Sequence, residues 1–257
     1  MFKTMMITSL LFVCGLASAE VAVHAQRGSN ETYHQARARH YAADFVALDL
    51  GAQSRSAEAV KKPLSKVNIQ SLPEVASLEE LQAQFEYVRD TRFIDHKQFW
   101  RRLSWLYPDD GCFARAEMAA NYLKERGFVI PKKLFVFGDL KAKTTNSAQG
   151  YVEWWYHVAA AYRVGNQGYV IDPALNPQAP MSIEAWDIAV NQSRRKTEYS
   201  ICSVGTYDPS FNCEGSRGYP LENALFEQKQ YLDLEWRRLV GLGRNPEAEL
   251  GDSPPWH

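Results

Sequence analysis

The sequence predicts an α+β domain, and three observations carry that reading. The run from Gly111 to Arg126 places Phe113, Ala116, Ala120 and Leu123 at helical spacing and stops at Gly127. Two strand-like stretches follow, Leu134 to Leu140 and Tyr151 to Val164. Gly165-Asn166 then turns the chain into a third strand, Gly168 to Ile171, which Asp172-Pro173 ends. A helix followed by an antiparallel sheet is the α+β order.

The remaining elements frame this unit. Ser77 with Glu80 three residues on is a capping box and starts a helix to about Arg89. The aromatic-rich stretch from Phe93 to Tyr107 packs on the core. Ser182 caps a short helix to about Val190, and Pro220 precedes a long one ending near Gly241, where Arg237-Arg238 suits the helix dipole. Upstream, helical character runs from about Glu31 to Leu48, and Lys61-Lys62-Pro63-Leu64-Ser65-Lys66 reads as an exposed basic linker. Residues 246–257, which end in Gly251-Asp252-Ser253-Pro254-Pro255-Trp256-His257, read as a loose tail.

Composition bounds the function. The chain has 257 residues, 46% of them apolar, enough for a sizeable core. With 29 Lys+Arg against 30 Asp+Glu there is no broad electrostatic case for binding nucleic acid or an anionic membrane. His34, His40 and His96 lack metal-ligand spacing, and no phosphate loop or zinc signature is present, so no metal and no cofactor are expected.

The N-terminus addresses the protein for export. Lys3 precedes an apolar run from Met5 to Leu16, and Ala17-Ser18-Ala19 supplies a signal-peptidase pattern. Residues 1–19 therefore read as a signal peptide, with Val23-His24-Ala25 as a second cleavage pattern. Cys14 follows Leu11-Phe12-Val13, where the bulky Val makes a poor lipoprotein signal. The expectation is a secreted or periplasmic monomer without stable membrane insertion after signal removal.

Three cysteines then remain, Cys112, Cys202 and Cys213, in an oxidising compartment. Cys202 and Cys213 flank a turn-rich loop, and a disulfide closing that loop is the economical pairing. It leaves Cys112 free. Gly111 allows a tight turn, so Cys112 opens a helix whose first-turn amides lack partners and favour a thiolate. The competing reading is a buried Cys used as a small hydrophobe. His157 lies in Trp154-Trp155-Tyr156-His157-Val158-Ala159, where an ordinary core or edge histidine is the bland alternative. If Gly165-Asn166 is a two-residue turn, Ala159 lies opposite Asp172 and His157 sits diagonally across on the same face. A Cys at a helix start followed by His and Asp on paired strands matches a papain-like or transglutaminase-like thiol enzyme.

Several blocks, in order, resemble the secreted bacterial protein-glutaminases. They are Asp110-Gly111-Cys112-Phe113-Ala114-Arg115-Ala116, Phe135-Val136-Phe137-Gly138-Asp139-Leu140-Lys141-Ala142, Trp154-Trp155-Tyr156-His157-Val158-Ala159, Ile171-Asp172-Pro173-Ala174-Leu175, and a helix carrying Ala185-Trp186. The resemblance spans roughly Leu72 to Asn191. It implies a transglutaminase-like core, deamidation of glutamine side chains in proteins or peptides, and a catalytic Cys112, His157 and Asp172. It also implies a signal and an inhibitory pro-segment. The chain departs from the family in its fewer cysteines, at Glu117 and Trp155, and in the helix from Leu221 to Val240.

These readings assign Trp154, Trp155, Tyr156 and Trp105 to substrate binding, and the backbone of Cys112, with Asp110 upstream, to the oxyanion. Ordinary core aromatics are the competing reading for the first three. Residues 20–68 are expected to be a pro-segment or an accessory helix and linker, with aromatic and aliphatic side chains of Tyr33 to Phe45 filling the slot. The catalytic domain is expected over 69–245. A cysteine peptidase or transglutaminase with the same residues is the first alternative, and a non-enzymatic secreted binding module is the second.

Overall fold

Apolar residues on both faces of the central strands require a sheet covered twice, and the computed structural model has that arrangement. It describes residues 27, 31–39, 55–97, 99–215 and 218–256. The signal stretch 1–19, the second cleavage pattern and residues 40–48 of the N-terminal helical stretch lie outside the described residues.

The elements in chain order are α1 (Leu78–Asp90), β1 (Ile94–His96), β2 (Phe99–Arg101), α2 (Cys112–Glu125), β3 (Lys132–Lys143), β4 (Tyr151–Val164), β5 (Gln167–Ile171), β6 (Met181–Ser182), α3 (Ile183–Val190), β7 (Glu198–Cys202), α4 (Leu221–Gly241) and α5 (Pro246–Leu250). β1 and β2 form a small hairpin, and the five other strands form an antiparallel sheet in the order β6-β5-β4-β3-β7. The alternation along β3 shows how the faces divide. Phe135 and Phe137 join the cluster with Phe113, Tyr231 and Leu232, whereas Leu134 and Val136 join the cluster with Trp186, Val190 and Tyr199. Among the described residues no helix is long and apolar enough to cross a membrane.

Local signals account for the helix starts. The Ser77 hydroxyl accepts the Glu80 N–H at 3.2 Å, and the Glu80 carboxylate reaches back to the Ala76 N–H. Ser182 caps α3 through the Ala185 N–H. The β4–β5 register pairs Val164 with Gln167 and Ala160 with Ile171, as the two-residue turn at Gly165-Asn166 requires. Glu117, a departure at the sequence level, has a partner: Lys133 on β3 pairs with it and donates to the Thr206 carbonyl at 2.8 Å. Both side chains are buried, so this pair ties α2 to the sheet.

Two expectations are corrected. The tail is docked rather than loose. Asn245 caps α5, Trp256 is buried, and its indole Nε1 donates to Asp90 Oδ1 at 3.0 Å beneath the Arg102 guanidinium. The Gly/Ser/Pro pattern of 251–255 masked the apolar surface that one terminal indole supplies. The basic stretch 61–66 is exposed but is not a free linker. The Lys62 N–H and carbonyl pair with Tyr199 on β7, and residues 55–58 hydrogen-bond to Pro209, Phe211 and Cys213. β7 would otherwise present an unpaired edge.

Cys202 and Cys213 form a disulfide, and Cys112 is the free cysteine among the described residues. Because the bridge closes an 11-residue separation against which residues 55–58 are bonded, Cys202→Ala with Cys213→Ala should lower the unfolding free energy by about 3 kcal/mol. Urea unfolding of the two chains checks this, and equal midpoints would contradict it.

Candidate active site

The site lies where α2 meets β4, and the loop before α2 decides its geometry. Gly111 takes a left-handed backbone, φ 80°, and a Cβ there would lie 2.8 Å from the Tyr231 ring. Glycine is therefore required twice, by conformation and by space. Four side chains hold the loop. Buried Arg115 donates to the carbonyls of Ser104 at 3.4 Å, Tyr107 at 3.0 Å and Asp110 at 2.8 Å. Glu235 on α4 accepts the Leu106 N–H at 2.8 Å and pairs with Arg101 at 2.8 Å. Arg238, also on α4, pairs with Asp109. The Trp154 indole donates to the Pro108 carbonyl at 2.9 Å.

Cys112 thus begins α2 as a buried thiol. His157 on β4 and Asp172 just past β5 are also buried, and His157 Nε2 lies 2.8 Å from Asp172 Oδ2. The same carboxylate oxygen accepts the Trp186 indole N–H from α3 at 2.9 Å. Trp154 stacks on the imidazole with ring centroids 4.5 Å apart and planes 11° from parallel. Burial alone would push the imidazole pKa down. Asp172, by charge and hydrogen bond, and then Cys112 raise it to about 9. Burial works to raise the Asp172 pKa, but His157 and Trp186 hold it below the usual carboxylate range.

A slot with about 30 Å3 of free space opens beside the thiol, lined by Cys112, Asp110, Glu153, Trp154, Trp155 and Tyr156. Its mouth carries residues from far upstream: Arg27, Tyr33 and Ala36 line it too, and residues 33–39 are helical. The Arg27 backbone N–H donates to the Asp110 carboxylate, its guanidinium lies 3.7 Å from Asp109, and the Tyr33 hydroxyl donates to Asp139 at 3.4 Å.

The structure therefore brings together Cys112, His157, Asp172, Asp110, Trp154, Trp155 and Tyr156. Trp105 is corrected: it is buried in the core and does not line the slot, because the tight turn bonding its N–H to the Leu103 carbonyl seats the indole among apolar residues. The Asp110 carboxylate accepts the Gly111 N–H at 2.7 Å, so it is an acceptor and leaves its backbone N–H for any oxyanion role. Sequence reasoning gave no role to Arg115, Trp186, Glu235 or Tyr231. A charged residue three positions into an otherwise apolar first turn was the available signal for Arg115. Trp186 lies in the Ala185-Trp186 block, where nothing local in the sequence names its partner.

A thiol at a helix start, an imidazole on β4 and a carboxylate just past the adjacent β5 give the layout of a thiol hydrolase on an α+β fold. The comparisons with known proteins narrow this. A sequence-family model described as glutaminase matches residues 81–190, which contain all three groups. The NMR structure of protein-glutaminase from Chryseobacterium proteolyticum is 26% identical with a TM-score of 0.51, over 63% of this chain and 90% of that one. A crystal structure of protein-glutaminase is 27% identical with a TM-score of 0.46, over 63% of this chain and 86% of that one. A crystal structure of pro-protein-glutaminase is 24% identical with a TM-score of 0.50, over 71% of this chain and 65% of that one. No curated protein matches the sequence. Over residues 81–190 the chain is thus similar to glutaminases, and its fold is similar to that of the Chryseobacterium proteolyticum protein-glutaminase.

The raised imidazole pKa has a consequence for stability. Its contribution is complete below about 6.5, the ordinary histidine value, and is lost as pH rises through about 9. Between pH 6 and pH 10 the unfolding free energy of the unmodified chain should therefore fall by about 3 kcal/mol more than that of His157→Gln. Equal losses in urea titrations of the two chains would contradict the assignment.

Proposed function

We propose that this protein deamidates glutamine side chains in proteins or peptides, giving glutamate and ammonia through a thioester on Cys112. The observation that carries the reading is the pairing of a free thiol at a helix start with an imidazole that interacts with it by hydrogen bond and charge and whose Nε2 is held by a buried carboxylate. The glutaminase match over 81–190 supports the choice of a carboxamide as substrate.

The chemistry follows from the geometry. The Cys112 thiolate attacks the carboxamide carbon while His157 holds the thiol proton. The tetrahedral oxyanion is met by the Cys112 N–H in the first turn of α2, with the Asp110 N–H as the second donor. His157 passes its proton to the leaving nitrogen, ammonia departs, and a thioester remains. A water that gives its proton to His157 then opens the thioester, releasing glutamate and the thiol. Asp172 orients the imidazole and stabilises its charged form, and Trp186 fixes the carboxylate in turn. Trp154, Trp155 and Tyr156 wall the slot against the substrate methylenes.

The chain reaches its site of action through a signal peptide at residues 1–19 and works outside the cytoplasm. The segment after it restrains the enzyme: Arg27, Tyr33 and Ala36 line the slot and compete with a glutamine for it. Since the chain from Arg55 onward is bonded to the disulfide loop, the removable segment ends before Arg55 rather than near 68.

Cys112→Ala and His157→Ala should each abolish ammonia release from a glutamine-rich protein while leaving the fold intact. Asp172→Asn should reduce it by roughly 10,000-fold, less completely than loss of either partner, as removal of an orienting carboxylate does. Full activity in Cys112→Ala would sink the nucleophile assignment. Peptide-bond cleavage without ammonia would favour the peptidase alternative, and ammonia release with lysine crosslinks in place of glutamate would favour the transglutaminase.

The restraint is tested by inserting a site-specific protease sequence between Arg39 and Arg55. Ammonia release should rise at least about tenfold on cutting, because a tethered blocker holds a high effective concentration at the slot. A cut chain no faster than the intact one would make residues 20–54 an accessory folding element instead.

A further inference from the structure

The Asp110 carboxylate lies in the slot two residues from Cys112, and its two oxygens face different duties. Oδ1 is committed to the loop, accepting the Gly111 N–H at 2.7 Å. Oδ2 accepts the backbone N–H of Arg27, 83 residues away in sequence, which also lines the slot. The side chain cannot swing away, because the Gly111 bond and the three carbonyl contacts of Arg115 fix this turn. A carboxylate oxygen held in a buried setting needs a donor. Here the upstream segment supplies one, using the group every polypeptide carries.

We propose that Asp110 is the residue by which this enzyme recognises a polypeptide backbone: its Oδ2 accepts a main-chain N–H flanking the substrate glutamine, in the place now taken by the Arg27 N–H. This rests on the deamidase reading and names the substrate class within it. A main-chain N–H is indifferent to the neighbouring side chain, so Asp110 adds affinity for a peptide without imposing a sequence. Where the donor is the residue after the glutamine, it also selects against free glutamine, which lacks that N–H. The bond exists in both ground and transition states, so it acts on KM rather than on kcat. A hydrogen bond to a charged acceptor of this kind is worth roughly 10- to 100-fold.

Two neighbouring groups take other roles. Asp109 is held by Arg238, and Glu153 lies 3.5 Å from Lys141, so each has a cation of its own. Asp110, by contrast, satisfies both carboxylate oxygens with backbone N–H groups. That is the pattern of a main-chain reader rather than of a surface charge.

The test uses the full chain carrying the inserted protease site, after cutting. Substrates are a short acetylated glutamine peptide and two analogues in which each N–H flanking the glutamine is replaced in turn by an ester oxygen. With unmodified Asp110, one ester should raise KM by roughly 10- to 100-fold with kcat little changed. Asp110→Asn should raise KM for the all-amide peptide by a similar factor and should no longer distinguish that ester from the amide. Unchanged iodoacetamide labelling of Cys112 serves as the control for an intact site. If neither ester raises KM in the unmodified chain, or if the ester penalty survives in Asp110→Asn, the inference is overturned while the deamidase reading stands. If no peptide releases ammonia, the deamidase reading fails and takes this inference with it.

Discussion

A buried carboxylate that must be neutralised by its neighbours organises this molecule. Asp172 sits where the chain leaves β5, out of water, and its charge is sustained by His157 and the Trp186 indole. Those two donors come from β4 and α3, so satisfying Asp172 fixes the imidazole against both the sheet and the helix behind it. Trp154 closes the remaining face of the ring by stacking. The imidazole is left with one nitrogen uncommitted, and orientation of that nitrogen is what a nearby thiol requires.

The thiol is positioned by a separate set of constraints that converge on the loop before α2. Arg115 gathers three loop carbonyls, Glu235 takes the Leu106 N–H, and Arg238 and Trp154 secure the Pro108–Asp109 corner. Two of these four side chains lie on α4, the helix that the sequence resemblance could not place. Its function in the fold is to hold the loop and to pack Tyr231 over Gly111, which precludes a larger residue there. The disulfide and the Glu117–Lys133 pair brace the far side of the same core. Catalytic geometry of this kind tolerates little slack, since small displacements of reacting groups weaken catalysis steeply.

Much of this was legible from local rules. The helix starts at Ser77, Cys112 and Ser182 follow from capping and turn residues, and the His157–Asp172 meeting follows from the two-residue turn at Gly165-Asn166 and the period of the strands. β7, the β1–β2 hairpin and the docked tail were not foreseen, because each depends on a partner distant in sequence. Glu198–Cys202 is a strand through pairing with β3 and Lys62, and Trp256 is ordered by Asp90 and Arg102. The same holds within the site. Cys112, His157 and Asp172 carry recognisable chemistry in their own windows, whereas Arg115, Glu235 and Tyr231 show their purpose only through what they touch. Trp105 misled for the same reason, since an aromatic residue near a site reads alike whether it lines a slot or fills a core.

The central claim is a thioester formed between Cys112 and the side chain of a peptide glutamine. Acid-quenched mass spectrometry of the protease-cut chain, mixed with a glutamine peptide in water enriched in heavy oxygen, tests it most directly. The account predicts an adduct of the peptide less ammonia, mapped to Cys112, and a product glutamate carrying one oxygen from water. Ammonia release with no adduct at Cys112 at any quench time in a chain with slowed hydrolysis, or an adduct mapped to another residue, would contradict it.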